Sequence, residues 1–339
     1  MPSTASFGAA KESWKTPEFV NRRETERQRA RANALEKYAD AYENARAELS
    51  KIYDDGGRLR SQYAIRRGLV HVRPVSRNVQ VPSSPAAALA PFKGWALQLY
   101  LIAIFDAQSR RPPGSTIENS RPLCRVGRSE AGWADLLPAE TKTVDRRAGM
   151  RRQAVHALNL LEREHLVAVD GPAGVAGRYD QVRFLDETGE GARNTWLRHY
   201  SVPRLDPFVP SNEIVWLPKA FFLNGWVHVL TAAEITTYLM ILDLQIRHPD
   251  AGDTGVYEVV DQRVDRYGIH RDVYATHRQL SGYGLIRRLD DPNRSQDGRV
   301  LRRSSPRYVH QPYRFSTLAG GFDQPALATV KAHLRSPDC

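Results

Sequence analysis

The sequence predicts a mainly helical chain with small β-hairpins, an α+β fold in which two copies of one domain follow a long N-terminal helix. Three observations predict it. The stretch from Asp265 to Ile286 is punctuated as two short helices meeting at Gly268. A second stretch, Asp145 to Val167, aligns with it, placing Gly149-Met150 over Gly268-Ile269, Arg152 over Arg271, Leu161 over Leu280 and Leu166-Val167 over Leu285-Ile286. Upstream of each lies a helix with the same ending, Ile104 to Pro112 reading like Ile241 to Pro249 with Ile, Asp, Gln, Arg and Pro shared. Matching residues at matching spacing are the mark of an internal repeat.

In chain order, residues 1–15 are small and polar without periodicity and are expected to be disordered. Thr16-Pro17-Glu18 is a helix start, with a capping side chain, a proline tolerated in the first turn and an acid at the positive end of the dipole. One helix is expected over 16–56, stopped by Gly56-Gly57. Within it Leu35, Tyr38, Tyr42, Ala45, Leu49 and Ile52 recur at three and four residues, the spacing of a coiled-coil seam. Such a seam needs a partner, either a second chain in a homodimer or the body of its own chain. Before it come Arg22, Arg23, Arg27, Arg29 and Arg31. Of these Arg23, Arg27 and Arg31 follow one another along one face, and Arg23 and Arg27 are candidates for phosphate contact. The plainer reading is a solvated face diluted by Glu24 and Glu26.

Residues 57–91, with scattered arginines and then Val79 to Pro85, read as a linker. The first domain is expected over 92–187. Its helix from Trp95 to Gln108 is apolar on most sides, so it should be buried. A long insertion from Arg110 to Pro138 precedes the helix-turn-helix, and Gly171 to Gly177 would be an almost uncharged hairpin tip. Residues 188–212 are expected to join the repeats. The second domain, 213–318, carries a capping box in Thr231 and Glu234, then a turn at Asp253 to Tyr257 leading into a short strand. After a helix near Val260 to Tyr267, Gly268 allows the turn and Ile269 can be driven into the core. Val273, Thr276, Leu280 and Tyr283 then form a buried stripe, leaving Arg271, Asp272, Ala275, Arg278 and Gln279 outside. Gly284 stops the helix, Leu285-Ile286 starts a strand, and an arginine-rich hairpin tip follows. The tail, 319–339, reads as a loose closing helix.

Helix, turn, helix and hairpin is the plan of a winged helix, here in tandem. That fold commonly lays its second helix in the major groove and its hairpin along the backbone. The second copy thereby nominates His270, Arg271, Tyr274 and Arg278 on the helix, and Arg299, Arg302 and Arg303 on the wing. The planar fork of arginine suits guanine edges and phosphates alike. The first copy offers Arg151, Arg152, Gln153, His156 and Asn159, where Gln and Asn can read adenine. In either copy the alternative is a protein-binding winged helix whose arginines serve solubility.

Composition agrees. The 339 residues are 41% hydrophobic and 26% charged with a net charge of +11, a balance that favours polyanions such as nucleic acid, with an anionic membrane as the lesser alternative. No apolar run is long enough to span a membrane, and no signal-peptide core is visible at the N-terminus. Cys124 and Cys339 suggest neither disulfide nor zinc site. The ten histidines lack metal-ligand spacing, no phosphate-cradling loop with Lys and Ser or Thr occurs, and no catalytic residue, cofactor or small-molecule substrate is expected. Asp106-Gln108-Arg110 and Asp243-Gln245-Arg247 read as helix-end capping with a local ion pair rather than as catalytic groups. Trp95, Phe221, Phe222 and Trp226 read as core.

At Leu217-Pro-Lys-Ala-Phe-Phe222, Leu230 to Leu242, Asp253-Thr-Gly-Val-Tyr257 and Gly284-Leu-Ile-Arg287, the second domain resembles the winged-helix part of plasmid replication initiators. The resemblance implies binding to repeated sites at an origin and repression of the chain's own promoter. The long N-terminal helix departs from that family's plan. The expected function is sequence-specific binding of double-stranded DNA by a non-enzymatic regulator or initiator of its own replicon, located in the cytoplasm with the nucleoid. The alternative is a nucleoprotein assembly protein that uses the helix and winged helices as protein-binding modules.

Overall fold

The apolar seam of the N-terminal helix is buried by the chain itself. The computed structural model describes residues 17–57, 59–72, 83–116, 121–127, 129–140, 145–172, 174, 175, 177–190, 197–204, 213–289 and 312–336. The disorder expected of residues 1–15 therefore falls outside the described residues. Helix α1 runs Pro17–Lys37 and helix α2 Ala39–Asp55. The expected single helix is broken at Tyr38, whose backbone leaves the helical region (φ −108°, ψ 19°) while Tyr42 N–H still reaches its carbonyl at 3.2 Å. The break lets one amphipathic stretch follow two surfaces. Ala32 and Leu35 are buried on α1, and Tyr42, Ala45, Leu49 and Ile52 on α2. The homodimer expected as one use of this seam loses its surface, because the same residues are already covered within one chain.

The stretch expected as a linker, 57–91, carries structure. Strand β1, Gln62–Arg66, is followed by a 3-10 turn at Arg67–Leu69, and Ser84 caps the short helix α3, Pro85–Leu89. Tyr63, Ala64, Ile65, Leu69 and Val70 are all buried, so the arginines around them flank a strand rather than mark a solvated connector.

Helix α4, Ala96–Arg110, is buried from Ala96 through Ser109, as its all-round apolar surface requires. After a 3-10 turn at Trp133–Leu136 comes helix α5, Arg146–Arg163. The helix-turn-helix expected here, with its turn at Gly149-Met150, does not form among the described residues. The Asp145 carboxylate caps the Ala148 N–H at 3.0 Å, and the ladder starts there and runs through Gly149 without interruption. Beyond α5, strand β2, Val167–Ala168, pairs antiparallel with strand β3, Arg183–Phe184. Leu185 and Ser201 bridge to His199 and Thr116, so residues 197–204, placed in the expected connector 188–212, extend this small sheet instead.

Strand β4, Ile214–Pro218, pairs antiparallel with β1, Tyr63 opposite Leu217 and Ile65 opposite Val215. Helices α6, Lys219–Leu223, α7, Trp226–Val229, and α8, Ala232–Arg247, follow. Thr231 and Glu234 make the reciprocal capping box at the start of α8. Then come helix α9, Val260–Tyr267, helix α10, Arg271–Tyr274, and helix α11, His277–Gly282. Strands β5, Ile286–Arg288, and β6, Phe315–Thr317, pair antiparallel, and Val256 bridges to Phe315 as a third edge. The hairpin tip between β5 and β6 lies outside the described residues. Helix α12, Ala326–Leu334, is not loose: Ala326, Val330 and Leu334 are buried, and it packs on α1 and α7.

Helices α5 and α11 end in the same way. His165 (φ 58°) and Gly284 (φ 72°) both take the left-handed conformation. The next residue then turns back to the helix, Leu166 N–H to Leu161 at 2.9 Å and Leu285 N–H to Leu280 at 3.0 Å. Each hairpin also returns alike, Leu185 N–H to Leu166 and Leu318 N–H to Leu285. The buried apolar residues of both halves form one contiguous core.

Candidate nucleic-acid interface

The turn between α9 and α10 sets the candidate site. Gly268 ends α9 at φ 68°, a conformation that disfavours any side chain, and a Cβ there would lie 2.8 Å from the Ser83 Cα. Ile269 is fully buried, and the Arg263 guanidinium donates to its carbonyl at 3.1 Å. Burial of Val273, Leu280 and Tyr283 then fixes the inner side of the helices that follow. The expected single helix after the turn is two, because the Thr276 hydroxyl bonds the Val273 carbonyl at 2.7 Å and the Thr237 hydroxyl at 3.0 Å. Such side-chain bonds compete with the helical ladder at Ala275-Thr276.

This arrangement leaves His270, Arg271, Asp272, Ala275 and Arg278 exposed on one outer face. Tyr274 does not join them. Its ring is half-buried, stacked under the Arg263 guanidinium at 3.9 Å and against His277 and Phe315, so it braces the helix from below. Gln279 is half-buried too, and its amide donates to Glu24 of α1 at 3.2 Å. The wing candidates Arg299, Arg302 and Arg303 lie outside the described residues.

In the first half Arg151 and Arg152 are exposed on α5, while the polar candidates Gln153 and Asn159 are engaged by other groups of the chain. The Gln153 amide donates to the Glu140 carbonyl at 3.2 Å, and Asn159 accepts from the Tyr179 hydroxyl at 2.7 Å. His156 is exposed with Nε2 3.3 Å from the Lys93 carbonyl. Arg146 and Arg147 share the exposed first turn of α5 and were missed by the sequence reading, which began the outer face only after Gly149. Asp145, a cap residue directly before them, was the signal that could have found them.

Arg23 and Arg27 are exposed on α1. Arg31, expected on the same cationic stripe, turns inward instead. It donates to both carboxylate oxygens of Glu234, at 2.6 and 2.8 Å, and to the Val229 carbonyl at 2.9 Å, and it reaches the Tyr283 hydroxyl at 3.0 Å. Burial alone would raise the Glu234 carboxyl. The Arg31 charge and the hydrogen bonds from Arg31, Thr231 and Tyr283 outweigh it and hold the group below its ordinary range. Behind α11, His277 is buried against Tyr274, Tyr313 and Phe315. Burial pushes its imidazole down to about 3, and the positive charges of Arg278, Arg288 and Arg263 act in the same direction.

The Asp-Gln-Arg endings of α4 and α8 are engaged within the fold, and the expected local ion pair is seen in α4, whereas Asp243 of α8 is held by residues distant in the sequence. Asp106 pairs with Arg110 at 2.8 Å and with Arg121 at 2.7 Å, and buried Asp243 is held by Arg67, His71 and the Tyr267 hydroxyl. Gln108 satisfies both backbone groups of Ala64 in β1. Among the described residues no group of three or more His, Cys, Asp or Glu could hold a metal ion. No helix among them is long and apolar enough to cross a membrane. No family model, curated protein or solved structure matches the chain.

Proposed function

We propose that this chain binds double-stranded DNA, with α10, α11 and the hairpin after them acting as a winged helix that reads base edges and α5 of the first half as a second contact, as a regulator or replication initiator of its own replicon. The observation that carries the reading is the outer face of α10 and α11. His270, Arg271 and Arg278 project from a helix pair whose other side is fixed by Val273, Leu280 and Tyr283, and a β-hairpin follows directly. An arginine-bearing helix pair of this kind can enter a major groove, where arginine forks onto guanine O6 and N7. The net charge of +11 supports capture of a polyanion. The matching helix ends and hairpin returns of the two halves support a duplicated unit. In the first half the commitments of Gln153 and Asn159 favour a phosphate-contacting role for α5 over base reading.

Selection from a random duplex pool, followed by footprinting of the enriched sequence, tests the proposal. A discrete protected site that Arg271→Ala weakens by about 1 to 3 kcal/mol is expected. Smeared coverage, or none, would instead favour an assembly protein that does not read sequence.

A further inference from the structure

We infer that α1 is a third DNA-contacting element: Arg23 and Arg27 extend the cationic face of α11 and hold the phosphate backbone beside the bases that α10 and α11 read. This deepens the DNA-binding reading and rests on it. Glu24, Arg27 and Arg31 are three and four residues apart, so they succeed one another on a single stripe of α1. The two ends of that stripe are pinned to α11. Glu24 accepts from Gln279, and Arg31 reaches Tyr283, the residue that ends α11. Arg27, which lies between these contacts along α1, is exposed. Arg23 stands one turn further on the same side. The opposite flank of α1 is taken by α12, where Glu36 pairs with Lys331 and with Arg335.

The anchoring is rigid enough to matter. Glu234, which receives Arg31, is buried at 1% exposure inside the capping box of α8, the helix on which α10 and α11 pack. A helix fixed in this way presents its arginines without losing the entropy of ordering a loose arm on binding. Glu24 works against them. It places a negative charge beside α11, and its partner among the described residues is the neutral amide of Gln279.

The full-length chain with a fluorescent short duplex of mixed sequence tests this, its affinity followed by anisotropy from about 50 to about 200 mM salt. For Arg23→Ala with Arg27→Ala, the slope of log affinity against log salt is expected to flatten by about two. Affinity at the low-salt end should fall roughly tenfold or more, while the ranking of different duplexes stays unchanged. Glu24→Gln should act oppositely, tightening binding several-fold, which a merely structural α1 would not do. If Arg271→Ala and Arg278→Ala weaken binding but the α1 variants leave slope and affinity untouched, the inference fails and the reading of α10 and α11 stands. If neither set changes binding, the DNA reading itself fails and this inference with it.

Discussion

Arg31 of α1 donates both terminal guanidinium nitrogens to Glu234, the carboxylate that also closes the capping box of α8. One carboxylate therefore satisfies the Thr231 N–H at the helix start and fixes a second helix across it. Removing the arginine leaves a buried carboxylate without its counter-charge, which typically costs about 3 to 5 kcal/mol. About 23% of the Arg31 side chain stays exposed, so Arg31→Ala is expected near the low end, about 3 kcal/mol. Urea unfolding measures it, with Arg27→Ala as the exposed control expected to change little. Because the folded Glu234 titrates below its ordinary 4.5, the pair's stability is present above that value and is lost as pH falls through the folded value. Glu234→Gln should flatten that acid limb.

His277 supplies a second acid sensitivity, in a higher pH window. Its imidazole lies near 3 in the folded chain against an ordinary 6.5. Above 6.5 it is neutral in both states and adds no slope. Between 6.5 and 3 the unfolded chain binds a proton that the native chain refuses, so stability falls as pH falls. At about pH 5 that loss is about 2 kcal/mol. His277→Phe keeps the ring contacts with Tyr274, Tyr313 and Phe315 and removes an Nδ1 that is buried without a hydrogen-bond partner. Thermal melts at about pH 7 and about pH 5 should show little difference from wild type at the first and a clearly higher midpoint for the variant at the second.

Local chemistry was legible in the sequence where it was self-contained. The Thr231 and Glu234 capping box, the Gly268-Ile269 turn, the buried stripe through Leu280 and the all-round burial of α4 each follow from residues a few positions apart. What was not legible depended on distant partners. β1 is five residues among arginines, and only its pairing with β4, far along the chain, makes it a strand. The bend at Tyr38 answers to two surfaces that α1 and α2 must follow. Arg31 reads as one more surface cation until Glu234 is seen beneath it. Tyr274, nominated for the outer face, is drawn inward by Phe315 and Arg263 from elsewhere in the chain. At Gly149 the misreading had another cause: glycine marks a turn only where the backbone needs a positive φ, and the Asp145 cap had already started a helix there.

That difference between the two glycines can be measured. Gly268→Ala forces a side chain into φ 68° and a Cβ to within 2.8 Å of the Ser83 Cα, so a loss of more than about 1 kcal/mol is expected. Gly149→Ala meets no such backbone penalty inside α5, and helix propensity favours alanine there by about 1 kcal/mol. Paired denaturation curves should therefore separate the two variants. Equal, large losses would mean that the buried Gly149 is required either for a backbone turn or for a close packing that a methyl group cannot enter.

The two outer faces should divide the work of binding. If α10 and α11 enter a groove as proposed, substitution of exposed Arg271 or Arg278 is expected to cost about 1 to 3 kcal/mol on the selected site and to relax its sequence preference. On α5, the amide of Gln153 is turned to the Glu140 carbonyl and Asn159 to Tyr179, which leaves exposed Arg151 and Arg152 to act through charge. Arg151→Ala with Arg152→Ala should then weaken all duplexes alike and flatten the salt dependence, by about 0.9 for each phosphate that is no longer neutralised, without changing which sequence binds best. Gln153→Ala should leave preference unaltered, because its hydrogen bond goes to protein. A shift in the selected sequence on changing Gln153 or Asn159 would show instead that the first half also reads bases and releases those side chains when DNA arrives.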